Sequence, residues 1–346
     1  MAVTPSAPLR GLFCGAGHFA KIQLEAWRAV PGARIVALYN RTLDRARTLD
    51  VDFGIGAVSD DCAALFDSVR PDFVDICTAL ETHLPLARLA AARGVPILCQ
   101  KPLSPQFADS AQLVAGCEAA GVRLMANDNW RWQGWYREIK RLLDAGTIGA
   151  PQHARFVLRP GDGSGDAPYP LQPFFRDMER FVILEAGGHY LDTMRFLFGD
   201  IVLLHCLTRR RNPRIRGEDA ALVTLEFAGG ATGLFDADRT ACTTRMRSPV
   251  NGQVFIEGSA GNLRLDEDGA IFLAFRGGAE ERHSYHIPPG YRGGSAIAAQ
   301  AHFVTALRTG VPFETGGRDY LAVERAVEAC YRSAASGATE RLEAAA

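Results

Sequence analysis

A glycine-rich loop follows the first apolar segment of the chain and reads Gly15-Ala16-Gly17-His18-Phe19-Ala20. Gly15 permits a tight turn, Gly17 lets a pyrophosphate approach the backbone, and the small Ala20 lets a helix pack closely on a strand. The pyrophosphate would lie at the helix N-terminus, where free N–H groups and the helix dipole attract anions. A purely structural glycine turn is the alternative, but the strand before the loop and the helix after it favour dinucleotide binding.

The residues after the predicted second strand should select the nicotinamide cofactor, and they are Asn40, Arg41 and Thr42. An acidic residue at this place would bind the ribose hydroxyls of NAD. Asn40 has no charge to repel the 2′-phosphate of NADP, and Arg41 could pair with that phosphate. Alternatively, Asn40 binds the ribose and Arg41 is solvated. We therefore expect NADP or NAD, with a slight preference for NADP.

A lysine stands where a predicted strand, residues 95–100, ends in Gln100-Lys101-Pro102. The carboxyl ends of parallel strands face the crevice in which such sheets bind ligands. Pro102 restricts the turn and thereby the direction of Lys101. The alternative from this segment alone is an ordinary surface lysine.

Three residues with acid–base chemistry, Glu185, His189 and Asp192, are spaced at i, i+4 and i+7. They would share one face if the segment is helical throughout, although Gly187-Gly188 could instead form a turn. A polar face on a helix that is otherwise apolar indicates a ligand site, and a capping histidine with solvated carboxylates is the alternative. A zinc site would need a second histidine or cysteine, so no metal is expected.

The secondary-structure elements that must position these residues follow two different sequence patterns. The first third alternates short apolar runs with helical patterns, which is typical of a parallel sheet built from βαβ units. Its predicted strands are 9–14, 33–40, 72–79, 95–100 and 122–127, and its predicted helices are 19–30, 83–94 and 135–143.

After Pro151 the pattern changes to alternating strands, with Ala228-Gly229-Gly230 as a hairpin signal between two of them. The predicted strands are 153–159, 221–227, 231–238, 253–258 and 270–275, and two helices follow at 295–310 and 319–337. The sequence thus predicts an α/β fold in two domains. Residues 1–130 would form a dinucleotide-binding Rossmann domain, and residues 131–346 a mostly antiparallel α/β domain.

The composition excludes several classes of protein. In 346 residues, Lys plus Arg number 38 and Asp plus Glu 39, so the net charge is −1. This balance argues against nucleic-acid binding and against a polybasic membrane patch or an acidic tail. The eight cysteines form no CxxC pair, no run approaches 18 apolar residues, and the N-terminus lacks an apolar signal core. A cytoplasmic protein that acts on small molecules is expected.

These motifs, taken in order, resemble the glucose–fructose oxidoreductase / inositol dehydrogenase (Gfo/Idh/MocA) family of NAD(P)-dependent sugar and polyol dehydrogenases. The similar segments are 15–17, 82–102, 125–132, 139–149, 185–200, 217–227, 256–266 and 326–337. The combination of 100–102, 129–133 and 210–219 looks most like the apiose-type sugar dehydrogenases within the family. The resemblance implies a Rossmann domain and a second domain, residues 131–346, whose large open sheet serves substrate binding and oligomerisation. It also implies assembly as a homodimer or homotetramer.

The resemblance also implies an oxidoreductase of carbohydrate metabolism that moves a hydride from a sugar or polyol carbinol to nicotinamide. His189 matches the family's catalytic histidine, Glu185 its carboxylate partner and Lys101 its catalytic lysine. His189 would act as base, while Lys101 would hold the same oxygen or serve as base itself. Two residues depart from the family pattern, because Gln100 replaces a glutamate and Glu185 an aspartate.

Further contacts follow from the Asn-x-Arg-aromatic segment at 129–132 and from the loop 161–181. Cofactor contacts are expected from Gly15, Gly17, His18, Phe19, Asn40, Arg41, Thr78, His83, Gln100, Lys101 and Asn129, and substrate contacts from Lys101, Trp130, Arg131, Arg176, Asp192 and His189. Each could instead have a structural role. The five arginines of 209–219 could bind an acidic sugar, or lie in a solvated or subunit-contact loop.

Two other functions stay open on this fold. One is a glycosidase that oxidises and re-reduces its sugar with tightly held NAD, and the other is a cofactor-sensing regulatory protein. The presence of both Lys101 and His189 argues against a sensor, which needs no acid–base pair.

Overall fold

The computed structural model describes residues 7–241, 246 and 248–343. The described chain divides into two compact units. The first comprises the chain up to Asn129 together with Ser295–Leu321, and the second comprises Trp130–Gly294 together with the chain from Ala322 onward. This differs from the single division at residue 130 that the sequence predicted, since 295–321 returns to the first unit.

The strands of the described residues are β1 Leu9–Cys14, β2 Ala33–Tyr39, β3 Ala57–Ser59, β4 Phe73–Ile76, β5 Ile97–Gln100, β6 Leu124–Asn127, β7 Pro151–Leu158, β8 Ile201–Arg209, β9 Ala220–Phe227, β10 Thr232–Asp238, β11 Gly252–Gly258, β12 Gly261–Leu265, β13 Ile271–Phe275, β14 Glu281–His283 and β15 Glu340–Arg341. The helices are α1 Ala20–Ala29, α2 Leu43–Phe53, α3 Cys62–Val69, α4 His83–Ala91, α5 Phe107–Ala119, α6 Gly134–Asp144, α7 Gly188–Phe198, α8 Ser295–Thr309 and α9 Gly317–Ser336. Short 3₁₀ turns lie at Leu80–Thr82 and Pro173–Asp177, and a π-helical turn at Ile183–Gly187 precedes α7.

The first unit is a Rossmann domain, as predicted. Within the described residues its six strands form one sheet in the order β3-β2-β1-β4-β5-β6, and all neighbours are parallel. This is the strand order of dinucleotide-binding folds. The strands are apolar because both faces of the sheet are covered, and β4, for example, is buried at every residue.

Residues 295–321 join this unit through hydrogen bonds to segments that are distant in the sequence, which no local sequence pattern predicts. Gln300 of α8 donates to the carbonyl of Gln23 in α1 at 3.1 Å. Beyond α8, the Thr315 carbonyl accepts from the Ala126 amide at 2.8 Å, so the chain runs beside β6. The helix itself was predicted correctly, but its partner Gln23 lies 277 residues away in the sequence.

The second unit contains the mostly antiparallel open sheet that the family resemblance implied. Among the described residues it has nine strands in the order β14-β13-β12-β11-β7-β10-β9-β8-β15, with β7 and β10 as the parallel pair. The predicted hairpin is confirmed, because β9 and β10 pair antiparallel with Glu226 opposite Thr232. Large aromatic side chains fill the core, and Tyr190 of α7 stacks on Phe235 at 4.6 Å.

No helix of the described residues is long and apolar enough to cross a membrane. The seven cysteines that are described there are buried and form no disulfide with one another, whereas Cys242 lies outside the described residues.

Candidate active site

The glycine-rich loop has the backbone that a phosphate-binding turn needs. Gly15 has a φ of 125°, and a Cβ built on it would lie 2.1 Å from the carbonyl oxygen of Cys77, so only glycine fits. A Cβ on Gly17 would meet no heavy atom within 4 Å, and no side chain caps the N-terminus of α1. His18 is exposed and Phe19 half-buried at the same turn. The loop therefore fits the phosphates of a dinucleotide.

The side chain of Asn40 links the glycine-rich loop to the end of β2. Its Oδ1 accepts from the amide of Ala16 at 3.1 Å, and its Nδ2 donates to the carbonyl of Thr42 at 2.8 Å. Arg41 is exposed beside it. This geometry places both residues at the expected edge of the sheet but does not choose between NAD and NADP.

The carboxyl ends of β4 and β5 are joined by a buried histidine. His83 has its Nδ1 at 3.1 Å from the carbonyl oxygen of Pro102 and its Nε2 at 3.3 Å from that of Thr78. Burial lowers the pKa of His83, and its bonds to these carbonyls oppose that shift. Lys101 follows β5 directly and is half-buried, and its peptide bond to Pro102 is cis. The buried Nε2 of Gln100 has no hydrogen-bond partner among the described residues, so this edge of the sheet has a donor to offer to a ligand.

Asn129, which was predicted to contact the cofactor, is held inside the first unit. Its Nδ2 donates to the Oγ of Ser295 at the start of α8, at 3.1 Å. The side chain is buried, with 3% of the residue exposed. The hydrogen bond gives Asn129 a structural role whether or not it also contacts a cofactor.

The segment with Glu185, His189 and Asp192 is helical throughout, so the turn at Gly187-Gly188 that the sequence left open does not form. Its first turn is a π-helix, Ile183–Gly187, and α7 continues from there. π-Helical turns are rare in proteins overall, but those that occur are often found at functional sites. The wider turn alters the angle between Glu185 and His189 from that of an α-helix, which places the two side chains differently from the predicted α-helical stripe.

The N-terminus of this turn is held by a carboxylate that the sequence analysis did not identify. Glu218 Oε1 accepts from the amides of Phe181 and Ile183, each at 3.1 Å, and from the hydroxyl of Tyr331 at 2.7 Å. A negative charge at a helix N-terminus is stabilising. Glu218 lies before β9, more than thirty residues along the chain, and only the tertiary fold brings it here.

His189 is buried, and its ring stacks on that of Trp130. The imidazole lies 4.3 Å from the ring centroid of Trp130, with 18° between the planes. The guanidinium of Arg292 lies 4.7 Å from the centroid of the same Trp130 ring. The structure thus brings together two residues that the sequence proposed separately, and it adds Arg292.

Arg131 and Asp192, both predicted to bind substrate, bind each other. Arg131 donates from Nε at 2.8 Å and from Nη2 at 2.5 Å to the two carboxylate oxygens of Asp192. The side chains are 6% and 0% exposed. A buried bidentate pair anchors α7 to the segment after residue 129, so both residues have a structural function that the sequence analysis did not assign.

Glu185 is held by another residue that no motif indicated. Its Oε2 accepts from Nη1 of Arg239 at 3.0 Å. Arg239 follows β10, and its other donors bind Asp162 at 3.1 and 2.7 Å. The sequence predicted His189 as the partner of Glu185, which stays a prediction, and the structure shows a contact of this carboxylate with the Arg239 guanidinium.

The arginines of the loops 161–181 and 209–219 mostly bind acceptors of their own unit. Arg176 donates to the carbonyl of Pro173 at 3.2 Å, and it lies in the short 3₁₀ turn. The ion pairs are Arg180–Glu328 at 2.7 Å, Arg211–Asp238 at 2.9 Å, Arg214–Asp166 at 3.1 Å and Arg216–Glu179 at 3.6 Å. Within the described part of the chain, no group of three or more His, Cys, Asp or Glu residues is placed to hold a metal.

Similar proteins were found among curated sequences. D-apiose dehydrogenase of Paraburkholderia graminis is 36% identical over 341 residues, which cover 96% of this chain and 90% of that protein. D-apiose dehydrogenase of Rhizobium rhizogenes is 36% identical over 338 residues, which cover 96% of each protein.

A similar solved structure covers nearly the whole chain. It is an oxidoreductase of Agrobacterium radiobacter in complex with NAD⁺, L-tartaric acid and magnesium. The identity is 34%, the TM-score is 0.90, and the match covers 97% of this chain and 98% of that one.

Both parts of the chain also match descriptions of one family. Residues 9–128 match its oxidoreductase domain with an NAD-binding Rossmann fold, and residues 136–264 match its C-terminal domain. Together the two matches span well over half of the sequence. The resemblance drawn from the motifs is confirmed: this chain belongs to the GFO/IDH/MocA family of oxidoreductases.

Proposed function

We propose that this oxidoreductase oxidises a carbinol of a sugar or polyol by hydride transfer to nicotinamide, and that its substrate is a neutral pentose of the D-apiose type. The observation that carries the proposal is the buried His189. It lies on the helix that follows Glu185, and its ring stacks on that of Trp130. An imidazole held in one orientation is suited to take the hydroxyl proton of a carbinol. The two D-apiose dehydrogenases that match almost the whole chain support the sugar class.

The charges of the second unit support a neutral substrate over an acidic one. An arginine that is held by a carboxylate is less available to bind an acidic sugar, whereas Arg176 and Arg292 donate to the carbonyls of Pro173 and Pro249. Arg180, Arg211 and Arg214 each pair with an acidic residue of the second unit. The buried Arg131 and Arg239 are likewise held by carboxylates.

In the proposed reaction the bound nicotinamide supplies the hydride acceptor. His189 takes the hydroxyl proton as the carbinol carbon is oxidised, and Glu185 orients that imidazole. Lys101 holds the substrate oxygen and stabilises the negative charge that develops on it. The stack on Trp130 and the buried surroundings keep His189 in one rotamer, so that less freedom is lost when substrate binds.

We propose the same cofactor contacts that the sequence predicted. Gly15, Gly17 and the N-terminus of α1 would bind the phosphates. Gln100 offers a buried N–H donor with no partner in the described chain. Asn40 and the exposed Arg41 favour NADP slightly over NAD, although the solved relative was crystallised with NAD⁺. We propose a homodimer or homotetramer in the cytoplasm.

The test is a panel of aldoses, polyols and sugar acids, including D-apiose, each assayed with NAD and with NADP. We expect neutral pentoses to reduce the cofactor and sugar acids to react poorly. Reduction by sugar acids alone would overturn the neutral-substrate assignment. Hydrolysis of glycosides without net reduction would identify the glycosidase that the sequence left open, and no reaction with any sugar would favour the sensor.

A further inference from the structure

Arg239 occupies a buried position between two carboxylates of the second unit. Its Nε and Nη2 form a two-point contact with Asp162, at 3.1 and 2.7 Å. Its Nη1 donates to Glu185 at 3.0 Å. The exposed fractions of the side chains are 8% for Arg239, 10% for Asp162 and 25% for Glu185. One guanidinium thus donates to two carboxylates, through Nε and Nη2 to one and through Nη1 to the other.

Three aromatic rings surround the same guanidinium. Its carbon lies 5.0 Å from the ring centroid of Tyr169, 5.1 Å from that of Phe175 and 5.0 Å from that of Phe181. These rings form a buried cluster with Ile215. Rings at this distance attract a cation and exclude water, so the guanidinium is fixed in position as well as paired.

The contact with Asp162 is sufficient to neutralise Arg239, so the contact with Glu185 calls for a separate explanation. Asp162 belongs to the irregular loop after β7, whereas Glu185 belongs to the π-helical turn that leads into α7. A carboxylate that accepts from a buried guanidinium stays ionised and keeps its place. That is what a residue needs if it is to orient a neighbouring imidazole.

We propose that Arg239 is a positioning residue for hydride transfer, which fixes the Glu185 carboxylate on the π-helical turn and, through it, the orientation of His189. Lysine could not replace it fully, because an ammonium lacks the planar fork that reaches Asp162 and Glu185 in set directions. The inference rests on the proposed role of Glu185 beside His189.

The experiment compares kcat and KM of Glu185→Gln, Arg239→Met and the double variant with those of the wild-type enzyme. We expect Arg239→Met to lower kcat by about tenfold to a hundredfold, since a misplacement of about 1 Å can cost that much. The KM for the sugar should change by less than about threefold, because ground-state binding is retained. If Arg239 acts through Glu185, the double variant should have a kcat within about twofold of that of Glu185→Gln alone.

Arg214→Met is the matched control, since Arg214 forms an exposed ion pair with Asp166 in the same unit, with side chains 61% and 92% exposed. It should leave kcat unchanged. If Arg239→Met does not fold, Arg239→Lys and Asp162→Asn replace it, each expected to lower kcat less and to show the same lack of additivity with Glu185→Gln.

The outcomes separate this inference from the proposed function. If Glu185→Gln slows turnover while the Arg239 variants do not, the positioning role is wrong and the proposed function stands. Losses in kcat that multiply in the double variant would also overturn it, because Arg239 would then act independently of Glu185. Normal turnover in Glu185→Gln would reject the role of Glu185 itself, and the positioning role with it.

Discussion

Several buried charged side chains of the second unit are held in ion pairs, and the pairing decides what each residue can do. Arg131 and Asp192 neutralise each other, while Arg239 lies between Asp162 and Glu185. Removing one member of such a pair leaves an uncompensated buried charge and costs about 3–5 kcal/mol. A loss of activity in an Arg131 or Asp192 variant would therefore reflect folding before it reflected substrate binding.

The buried Asp75 of β4 offers a test by pH. Burial raises the pKa of Asp75 to about 7, and its bond from the indole of Trp27 at 2.7 Å opposes the shift. Because the unfolded carboxyl has a pKa of about 3.9, the folded state holds a proton between these two values that the unfolded state does not. The stability that the protonated form contributes is complete below about pH 4 and is lost as the pH rises through 7.

We predict that Asp75→Asn stabilises the protein at pH 8 by about 1–4 kcal/mol, because the amide needs no proton to stay neutral and its oxygen can still accept from Trp27. At pH 4 the gain should be small. Urea unfolding of both proteins at the two pH values measures the difference. An equal difference at both would show that the Asp75 carboxyl does not titrate between them.

At the level of helices and strands, the sequence predicted the elements whose apolar pattern is strong. The strands β1, β2, β4, β5 and β6 and the hairpin β9–β10 lie where the apolar runs and the glycine turn indicated. The three-residue β3 was missed because it is too short to carry a pattern, and α2 because it is mostly exposed, with Ala46 as its buried residue.

The sequence predicted the candidate site only where residue types and spacing within a short segment indicate the chemistry. The loop at Gly15, the lysine after β5 and the triplet at Glu185, His189 and Asp192 stand out by residue type and spacing. Arg239 and Glu218 do not, because each reaches its partner through the tertiary fold from a segment without a motif. The π-helical turn was not predictable either, because its extra residue per turn depends on the contacts at its ends.

The role of Glu218 at this turn gives a prediction. Glu218→Gln replaces a charged acceptor of the Phe181 and Ile183 amides with a neutral one. We expect a loss of about 1–3 kcal/mol of stability, together with a lower kcat, because the turn that holds Glu185 loosens. Urea unfolding and steady-state kinetics measure the two effects.

Glu226→Gln is the matched control, since Glu226 is an exposed residue of β9. Its effect on stability should stay within about 0.5 kcal/mol. If Glu218→Gln behaves like this control, the hydrogen bonds at the turn do not support it.

For the whole molecule, the net charge of −1 conceals a local arrangement. Most arginines of the basic run are neutralised by carboxylates of the same unit. The balanced charge therefore agrees with a protein that acts on small molecules. The composition alone could not distinguish paired arginines from ones that bind an acidic ligand.

The predicted assembly can be tested on the open sheet. Leu207 of β8 lies opposite Leu222 of β9, and the two residues are 42% and 38% exposed. Neighbouring apolar side chains on an exposed sheet face would be covered if that face formed a contact between subunits. We expect a homodimer or homotetramer by analytical ultracentrifugation, and Leu222→Asp should shift the mass towards the monomer.

Val51→Asp is the control for this shift, since Val51 of α2 is 86% exposed and lies in the first unit. It should leave the mass unchanged. A wild-type protein that sediments as a monomer would contradict the predicted assembly, and an unchanged mass in Leu222→Asp would place the contact elsewhere.

The rate of nicotinamide reduction by wild type, Lys101→Met and His189→Ala, with the best sugar of the panel, tests the central claim most directly. We predict that the wild type reduces the cofactor and that each variant turns over at least about a hundredfold more slowly. Near-normal turnover in both variants would contradict the account, because neither residue would then carry the proton chemistry of the reaction.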